Sequence, residues 1–444
     1  MAIPNAMFDN SKKEDCIMSR EYLKKAIPQI PEDMSEVVET VAKLISEVRE
    51  KGDSAVRLLT KKFDNIDLEK MVYTEEDFNA AEKAMPVTLK EDMDFGFNQV
   101  TNFAKAQFDT ISEFEKEVGP GIHMGHRIIP ISSVGAYIPG GRYPILSAPP
   151  MLICPAKVAG VSRIVACTPP RRDGKLHPAT LYAIKRCGAD ECYCVGGVQA
   201  IAAMAYGTET IRPVDKIVGP GNKWVTEAKR QVNGVVGLDL QAGPSEILVL
   251  ADKTGQADII AADLLGQLEH DPNARGVLVT NSRELGEATI AEVERQVKLL
   301  ATCETASTSW KNHGEVVITS SMEEACDFAN EWAPEHLEIH CKHPDVMLSR
   351  LHNYGSCFVG VNAAEVFADK VSGTNHTLPT GRAARYTGGV WVGTFLKWIT
   401  HQWVDKEAMK LLAHIVYRQS TIEGMVAHAE SAAIRLRKVG EPVD

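Results

Sequence analysis

No stretch of this 444-residue sequence approaches the ~18 uninterrupted apolar residues that a membrane-spanning helix requires. The N-terminus lacks the basic-then-apolar order of a signal peptide, and positive charge is not in excess, since the formal net charge is -11 at pH 7. These absences argue against a membrane protein, a secreted protein and a nucleic-acid-binding surface. We therefore expect a cytoplasmic location and a small-molecule partner.

Paired cysteine spacing is also missing. The ten cysteines are scattered along the chain, which suits a reducing compartment better than a disulfide framework. Cys192 and Cys194 alternate within ECYCV, a pattern typical of a strand, and we expect buried thiols there. With 44% hydrophobic residues, the chain is long enough to form two or three domains.

Apolar periodicity predicts a helix over 33–64 and further helix over 74–117, broken near Pro86. From residue 128 the pattern changes to short β-rich runs that end in Gly or Pro and alternate with helical segments. A second alternation of this kind runs over 246–340. Strands that alternate with helices indicate parallel sheets with βαβ crossovers. We predict an α/β fold of two related Rossmann-like parallel-sheet domains, with small helical segments at both ends.

Three glycine-rich turns follow predicted strands: PGG at 139–141, VGGVQA at 195–200 and VGPGNKWV at 218–225. Such turns let backbone amides and a helix N-terminus approach phosphate closely. None matches the GxGxxG fingerprint, and simple tight connections are the alternative. Three such turns at the carboxyl ends of strands in one sheet nevertheless point to a ligand crevice.

Two polar pairs interrupt apolar runs. Gln267 and His270 in LLGQLEHD are three residues apart on one helical face and could bind one metal ion together, although spacing alone favours a helix cap. Glu335 and His336 in WAPEHLEI join a carboxylate to an imidazole, and such a pair can divide two proton transfers. The alternative for this second pair is the first turn of a helix, which Pro334 and Glu335 suit.

The stretch GPGNKWVTEAKRQVNGVVGLDLQAGPSEILVLAD (219–252), followed in order by QLEH, APEHLE and SGTNHTLPT, resembles the histidinol dehydrogenase family. The resemblance runs from about residue 30 to 438. It implies an N-terminal helical segment (1–31), a discontinuous catalytic domain (32–136 plus 246–390), an inserted NAD-binding domain (137–245) and a C-terminal helical dimerisation segment (391–444). It also implies a homodimer with shared active sites.

The resemblance further implies one zinc ion per active site and NAD. The positions that match the family's zinc ligands are Gln267, His270, Asp369 and His428; a core histidine is the alternative for His428. His336 is implied as the general base and Glu335 as the group that activates water. NAD contacts are implied for Tyr137, Gln199 and Asn222, and substrate contacts for Ser245, His376 and Glu423.

The implied reaction is a four-electron oxidation of a primary alcohol. The alcohol proton goes to His336 while hydride goes to NAD, and the bound aldehyde then gains water and gives a second hydride to another NAD. No cysteine is required, so zinc would hold the substrate and the aldehyde in position.

The residues after PGG bear on the substrate. Ala148 lacks a hydroxyl where histidinol-oxidising members commonly have one, and Arg142 and His126 add positive charge that suits a sulfonate. These features resemble the sulfopropanediol 3-dehydrogenase branch, so we expect oxidation of 2,3-dihydroxypropane-1-sulfonate to sulfolactate. Glu423 and Ser245 keep L-histidinol open as the alternative substrate, and Arg142 could simply be solvated. A zinc hydrolase and a non-catalytic family member are remoter alternatives.

Overall fold

The computed structural model describes residues 20–28, 33–140, 144–240 and 243–443. The strands in these ranges are β1 (Glu21–Lys24), β2 (Val72–Tyr73), β3 (Phe114–Gly119), β4 (Ile122–Pro130), β5 (Ser133–Tyr137), β6 (Arg163–Thr168), β7 (Glu191–Cys194), β8 (Lys216–Val218), β9 (Gly237–Leu238), β10 (Glu246–Ala251), β11 (Arg275–Thr280), β12 (Gly314–Ile318), β13 (His336–His340), β14 (Ser356–Val359) and β15 (Leu396–Val404).

The helices in the same ranges are α1 (Ser35–Asp64), α2 (Glu75–Ala84), α3 (Val87–Phe108), α4 (Ala148–Ala159), α5 (Pro178–Cys187), α6 (Gly197–Tyr206), α7 (Lys223–Val232), α8 (Ala257–Leu268), α9 (Arg283–Gln296), α10 (Cys303–His313), α11 (Met322–Trp332), α12 (Pro344–Leu348), α13 (Glu365–Phe367), α14 (Lys406–Glu423) and α15 (Val426–Lys438). None of these helices has both the length and the apolar character that crossing a bilayer would need.

Two six-stranded sheets share one topology. The first has the order β2-β7-β6-β5-β8-β9 and the second the order β1-β12-β11-β10-β13-β14. In each sheet five strands are parallel, the first parallel strand lies between the second and the fourth, and an antiparallel strand covers one edge. The prediction of two related Rossmann-like parallel sheets is confirmed.

The sequence of β10 explains why the second sheet is covered on both faces. All six residues of EILVLA are buried, as expected for a central parallel strand. Ile247 and Val249 point into the core beneath α8, α9 and α10, whereas Leu248 and Leu250 point into the core beneath α11 and α12. A continuous apolar run therefore serves two cores by simple alternation.

The N-terminal helices pack on the first sheet. Val41 and Val56 of α1 belong to the same buried core as Val134 of β5 and Ile201 of α6. The predicted grouping of 32–136 with 246–390 in one domain stays a prediction. The apolar face of α1 packs against α6, and most residues of α6 are almost fully buried.

Three predicted helical regions contain strands. The predicted helix over 74–117 ends at Phe108, because FEKEVG and IHMGHRIIP flank a tight turn at Gly121 (φ +69°) and form the hairpin β3–β4. The predicted helical C-terminal segment contains β15, whose β-branched and aromatic residues pair with β4 to complete a three-stranded antiparallel sheet. In the predicted helical segment 1–31, Glu21–Lys24 is an edge strand, and residues 1–19 lie outside the described ranges.

The cysteines in the described ranges are free thiols. Cys192 and Cys194 of β7 are almost fully buried, which confirms the predicted core thiols. Burial raises the pKa of Cys194 to about 12, so this thiol stays protonated.

Candidate active site

Glu335 and His336 lie at the connection between α11 and β13. The helix ends at Trp332, and Ala333 takes a left-handed conformation (φ 53°) that turns the chain sharply. Pro334 and Glu335 therefore follow a helix, and the alternative that they begin one is wrong. His336 is the first residue of β13, at the amino end of a parallel strand.

Both side chains are anchored to the backbone of one residue, Glu246. Its amide N–H donates to Oε2 of Glu335 at 2.8 Å, and its carbonyl oxygen lies 2.9 Å from Nδ1 of His336. A carbonyl can only accept, so Nδ1 carries the ring proton and Nε2 keeps its lone pair. Burial, reinforced by His376, holds the pKa of His336 well below its usual value. The His336 ring is therefore a neutral base.

His376 and Glu365 complete this buried group. Nδ1 of His376 lies 3.2 Å from Nε2 of His336, and Oε1 of Glu365 lies 3.6 Å from Nδ1 of His376. Burial lowers the pKa of His376 to about 4 and raises the pKa of Glu365 to about 8. Burial also raises the pKa of Glu335 well above its usual value. The four groups thus combine weakly basic rings with unusually basic carboxylates.

Gln267 has an unmet bonding requirement. It lies in the last turn of α8 with no exposed surface, and its side-chain oxygen and nitrogen have no hydrogen-bond partner within the described residues. Since a helix cap would bond to the backbone, the helix-cap alternative does not account for this side chain. His270 follows two residues after α8 ends, and its backbone N–H donates to the carbonyl of Gln267 at 3.3 Å. A buried amide without partners is costly, so a ligand is the natural complement.

Asp369 lies on a π-helical turn over Ala368–Ser372, close enough to His270 and His376 for its charge to act on both rings. Its Oδ1 accepts a hydrogen bond from the Ser147 hydroxyl at 2.9 Å, and its Oδ2 pairs with Lys370. Burial lowers the pKa values of His270 and His376, and the Asp369 charge opposes this lowering at both rings. Gln267, His270 and Asp369 supply the oxygen and nitrogen donors that suit a divalent cation such as zinc.

The fourth implied zinc ligand stands apart from these three. His428 and Glu423 are exposed on the C-terminal helices, and neither side chain has a hydrogen bond or ion pair within the described residues. The core-histidine alternative for His428 is therefore wrong. Helices α14 and α15 pack on each other through Ala413, Ala432 and Leu436, and His428 lines an open groove of about 530 Å³ beside them.

The implied NAD contacts lie at the carboxyl ends of β5, β7 and β8. The Tyr137 hydroxyl accepts a hydrogen bond from the Gly197 amide at 3.2 Å, which joins the end of β5 to the start of α6. Gln199 is buried in α6 and donates to Thr60 at 3.5 Å. Asn222 caps α7 by accepting from the amides of its second and third residues at 3.0 and 3.1 Å. The chain reverses direction across the sheet between β5 and β8, where such folds bind ligands.

The implied substrate residues are dispersed. Ser245 is half-buried immediately before β10. His126 lies in the three-stranded sheet, where Nε2 is 2.9 Å from the Ser112 carbonyl and the ring packs edge-on against Phe114. Arg142 lies outside the described residues.

Sequence reasoning missed Glu246, Glu365 and Ser147. Glu246 acts through its backbone, which no side-chain pattern reveals. Glu365 sits in EVFADK without a recognisable motif, and only the fold brings it to His376. Ser147 stands beside Ala148 at the start of α4, and its contact spans more than two hundred residues of sequence to Asp369.

A parallel sheet with glycine turns at the carboxyl ends of its strands, and a second sheet with a buried acid–imidazole pair, place this chain among two-sheet α/β proteins with an enzyme-like site. The family model "Histidinol dehydrogenase" matches residues 28–436. The chain belongs to this family, whose members are NAD-dependent and zinc-binding, and it is an NAD-dependent dehydrogenase.

The relatives span the whole fold. A "Histidinol dehydrogenase homolog" of Shouchella clausii is 43% identical over 423 residues, covering 95% of this chain and 100% of that protein. The histidinol dehydrogenase of Methanosarcina mazei is 43% identical over 402 residues, covering 90% and 92%. The crystal structure of histidinol dehydrogenase from Elizabethkingia anophelis superposes with a TM-score of 0.87 at 34% identity, covering 94% of this chain and 95% of that one.

Proposed function

We propose that this chain oxidises a primary alcohol to a carboxylate through a bound aldehyde, with one zinc ion per active site and two molecules of NAD per turnover. The proposal rests on the hydrogen bond from Nδ1 of His336 to the Glu246 carbonyl, which leaves the buried ring neutral with Nε2 as its basic atom. A base of this kind accepts a proton without first having to lose one, as alcohol oxidation requires.

Each proton transfer has its own group. Nε2 of His336 takes the alcohol proton, and Nδ1 of His376, 3.2 Å away, donates its N–H to that nitrogen while the base is unprotonated. Glu335 acts in the second half, where its raised pKa makes the carboxylate a stronger base toward water. The backbone of Glu246 holds both groups in register, so the two half-reactions share one position for the reacting carbon.

Gln267, His270 and Asp369 would hold the zinc ion, with His428 from the second subunit of a homodimer as the fourth ligand. The buried, unpartnered Gln267 amide supports this assignment, and the exposed position of His428 supports its use by another chain. Zinc, when bound, fixes the substrate oxygen and polarises it. Ser147 orients Asp369 from behind, in the manner of partners that tune metal ligands.

Tyr137, Gln199 and Asn222 would position NAD, which supplies the hydride acceptor. The shared edge of β5, β7 and β8 supports this, because α6 and α7 begin there and a helix N-terminus favours an anionic group such as a phosphate. The hydrogen bond between Tyr137 and Gly197 keeps two of these turns at a fixed separation.

L-Histidinol is the substrate that the relatives favour, since the two compared above are named histidinol dehydrogenase or its homolog. Ser245 and Glu423 match histidinol-contacting positions, and a carboxylate suits an ammonium group. Ala148 supports 2,3-dihydroxypropane-1-sulfonate as a second candidate. It is buried and lacks the hydroxyl, and its neighbour Ser147 is already engaged by Asp369.

A substrate panel tests the proposal. Zinc-loaded enzyme is given L-histidinol or either enantiomer of dihydroxypropanesulfonate with excess NAD, and NADH is counted per alcohol consumed. We expect about two NADH per L-histidinol, the signature of a four-electron oxidation. Faster use of a sulfonate would favour the second candidate. No NADH from any alcohol would refute the function, and hydrolysis of an ester without NAD would indicate a zinc hydrolase.

A further inference from the structure

Three ionisable side chains lie buried below the active site and take no part in the proposed reaction. Glu338 has no exposed surface, His340 is 4% exposed and Asp263 is 8% exposed. We refer to these three residues as the inner cluster.

The fold aligns the inner cluster with the catalytic residues. His336, Glu338 and His340 alternate along β13 and therefore share one face of the strand. Asp263 lies four residues before Gln267 on α8, so both side chains point the same way from that helix. One row of polar groups thus runs from the catalytic base into the protein interior.

The donor atoms of the inner cluster converge. Nε2 of His340 lies 3.2 Å from Oε2 of Glu338 and 3.9 Å from Oδ2 of Asp263. All three atoms lie within 4.8 Å of one another. Protein ligands at ~2.1 Å from a zinc-sized ion stand roughly 3 to 4 Å apart. Both distances from Nε2 of His340 fall in this range.

These atoms do not satisfy one another. Within the described residues, Nε2 of His340, Oε2 of Glu338 and Oδ2 of Asp263 have no hydrogen-bond partner, despite their proximity. Each of these buried atoms is therefore left with an unused hydrogen-bonding or metal-binding position. Buried polar atoms in native proteins are almost always paired, and a shared ligand would pair all three.

The inner cluster is also poor in positive charge, and burial together with the Glu338 charge raises the pKa of Asp263 to about 7. Among the described residues, no Lys or Arg forms an ion pair with Asp263 or Glu338; their one ion-pair partner is His340. Two carboxylates held in a low-dielectric interior repel each other and lose their hydration. A dication would offset both effects.

We propose that Asp263, Glu338 and His340 form a second divalent-cation site, separate from the one assigned to Gln267, His270 and Asp369. Two carboxylate oxygens and one imidazole nitrogen suit Zn²⁺ or Mn²⁺. The ion is structural. Oε1 of Glu338 accepts the backbone N–H of Glu365 at 2.8 Å, so fixing Glu338 also fixes the carboxylate that faces His376. This site goes beyond the proposed function and does not depend on it.

Metal content of the full-length protein tests the site. Chelator-treated wild type is dialysed against Zn²⁺ and then against metal-free buffer, and zinc per chain is measured by mass spectrometry. We expect about two zinc ions per chain in wild type and about one in Glu338→Gln, because structural zinc survives dialysis. Glutamine is matched to glutamate in shape and retains an oxygen to accept the Glu365 amide. Glu227→Gln removes a buried carboxylate on α7 instead and keeps both ions.

Gln267→Ala separates the two sites. This variant should lose the active-site ion and keep the inner one. Asp263→Asn changes the most exposed of the three inner-cluster side chains, and it should lose the inner ion and keep the active-site ion. If the active-site assignment fails, wild type holds one ion that Glu338→Gln loses and Gln267→Ala keeps, and the inner site stands. Zinc content equal in wild type, Glu338→Gln and Asp263→Asn overturns it, since protons would then neutralise the cluster. Should Glu338→Gln not fold, the Asp263→Asn result decides.

Discussion

The Nζ atom of Lys229 lies 2.5 Å from Oδ1 of Asp239, and both side chains are almost fully buried beneath the glycine turn that follows β8. Lys229 also donates to the carbonyl of Gly219 at 2.8 Å, and Asp239 accepts the Gly219 amide at 2.7 Å. A single ion pair therefore holds both polar groups of one turn residue. Gly219 has φ +119°, and a Cβ there would lie 2.2 Å from the Tyr137 carbonyl oxygen, so only glycine fits at this position of the turn.

Breaking the ion pair between Lys229 and Asp239 should lower the stability of the domain built on the first sheet and also disturb the proposed NAD-binding turns at the carboxyl ends of its strands. Lys229→Met leaves Asp239 as an unpaired buried charge, and we expect a loss of about 3–5 kcal/mol in unfolding free energy. We also expect weaker NAD binding, because the turn carrying Asn222 loses its anchor. Denaturant titration and calorimetry measure the two effects. Lys61→Met on α1, which breaks an exposed ion pair with Asp67, is the control; an equal loss in both variants would contradict this role.

Glu246 gives the stability a defined pH dependence. Burial raises the pKa of its carboxyl to about 7, against 4.5 when unfolded. The folded state thus holds this proton more tightly, and the resulting stabilisation is complete below pH 4.5 and is lost as pH rises through 7. Glu246→Gln keeps the acceptor for the Gly381 amide and removes the charge. We expect a flatter profile between pH 4.5 and 7, with the variant about 3 kcal/mol less dependent on pH than wild type.

Urea melts at closely spaced pH values measure this difference. Glu227→Gln is the control, because the hydrogen bond and charge of Arg230 lower the pKa of Glu227 rather than raising it. Flattening in both variants, or in neither, would show that Glu246 does not titrate in this window.

The sheets could be predicted because their signals are local. Apolar runs such as EILVLA, bounded by Gly, Pro or Asp, are sufficient to indicate buried parallel strands. The helix predicted over 74–117 runs into the first four residues of β3, because the charged residues of FEKE also fit a solvated helix face, and only pairing with β4 distinguishes the two.

The candidate site could be predicted only in part. Glu335 and His336 are neighbours in sequence, so their pairing needs no fold. The inner cluster and Glu365 depend on α8, β13 and the segment after β14 meeting in space, which single-sequence periodicity does not report. The proton position on His336 depends on a backbone carbonyl, and backbone partners carry no sequence signature.

Glu335→Gln should separate the two halves of the reaction. The amide still accepts the Glu246 N–H but no longer takes a proton from water, so alcohol oxidation proceeds and aldehyde oxidation slows by roughly 10²–10⁴-fold. We expect about one NADH per enzyme in a burst, followed by slow turnover, where wild type gives no such pause. Rapid-mixing absorbance follows both phases. Equal slowing of alcohol and aldehyde substrates would assign Glu335 a purely structural role.

Mixing two inactive variants tests whether active sites are shared between subunits. His336→Ala removes the base of its own chain, and His428→Ala removes the proposed ligand to the neighbouring chain, so a mixed dimer contains one site with both residues intact. Statistical re-pairing of equal amounts should restore about one quarter of wild-type activity, because half of the dimers are mixed and each has one working site. The measurement is NADH formation after unfolding and refolding the mixture, with each variant refolded alone as the control.

The structure motivates this expectation, because His428 is exposed on helices that pack chiefly against each other. If the mixture stays as inactive as its parents while refolded wild type recovers, His428 serves its own chain or does not bind the ion.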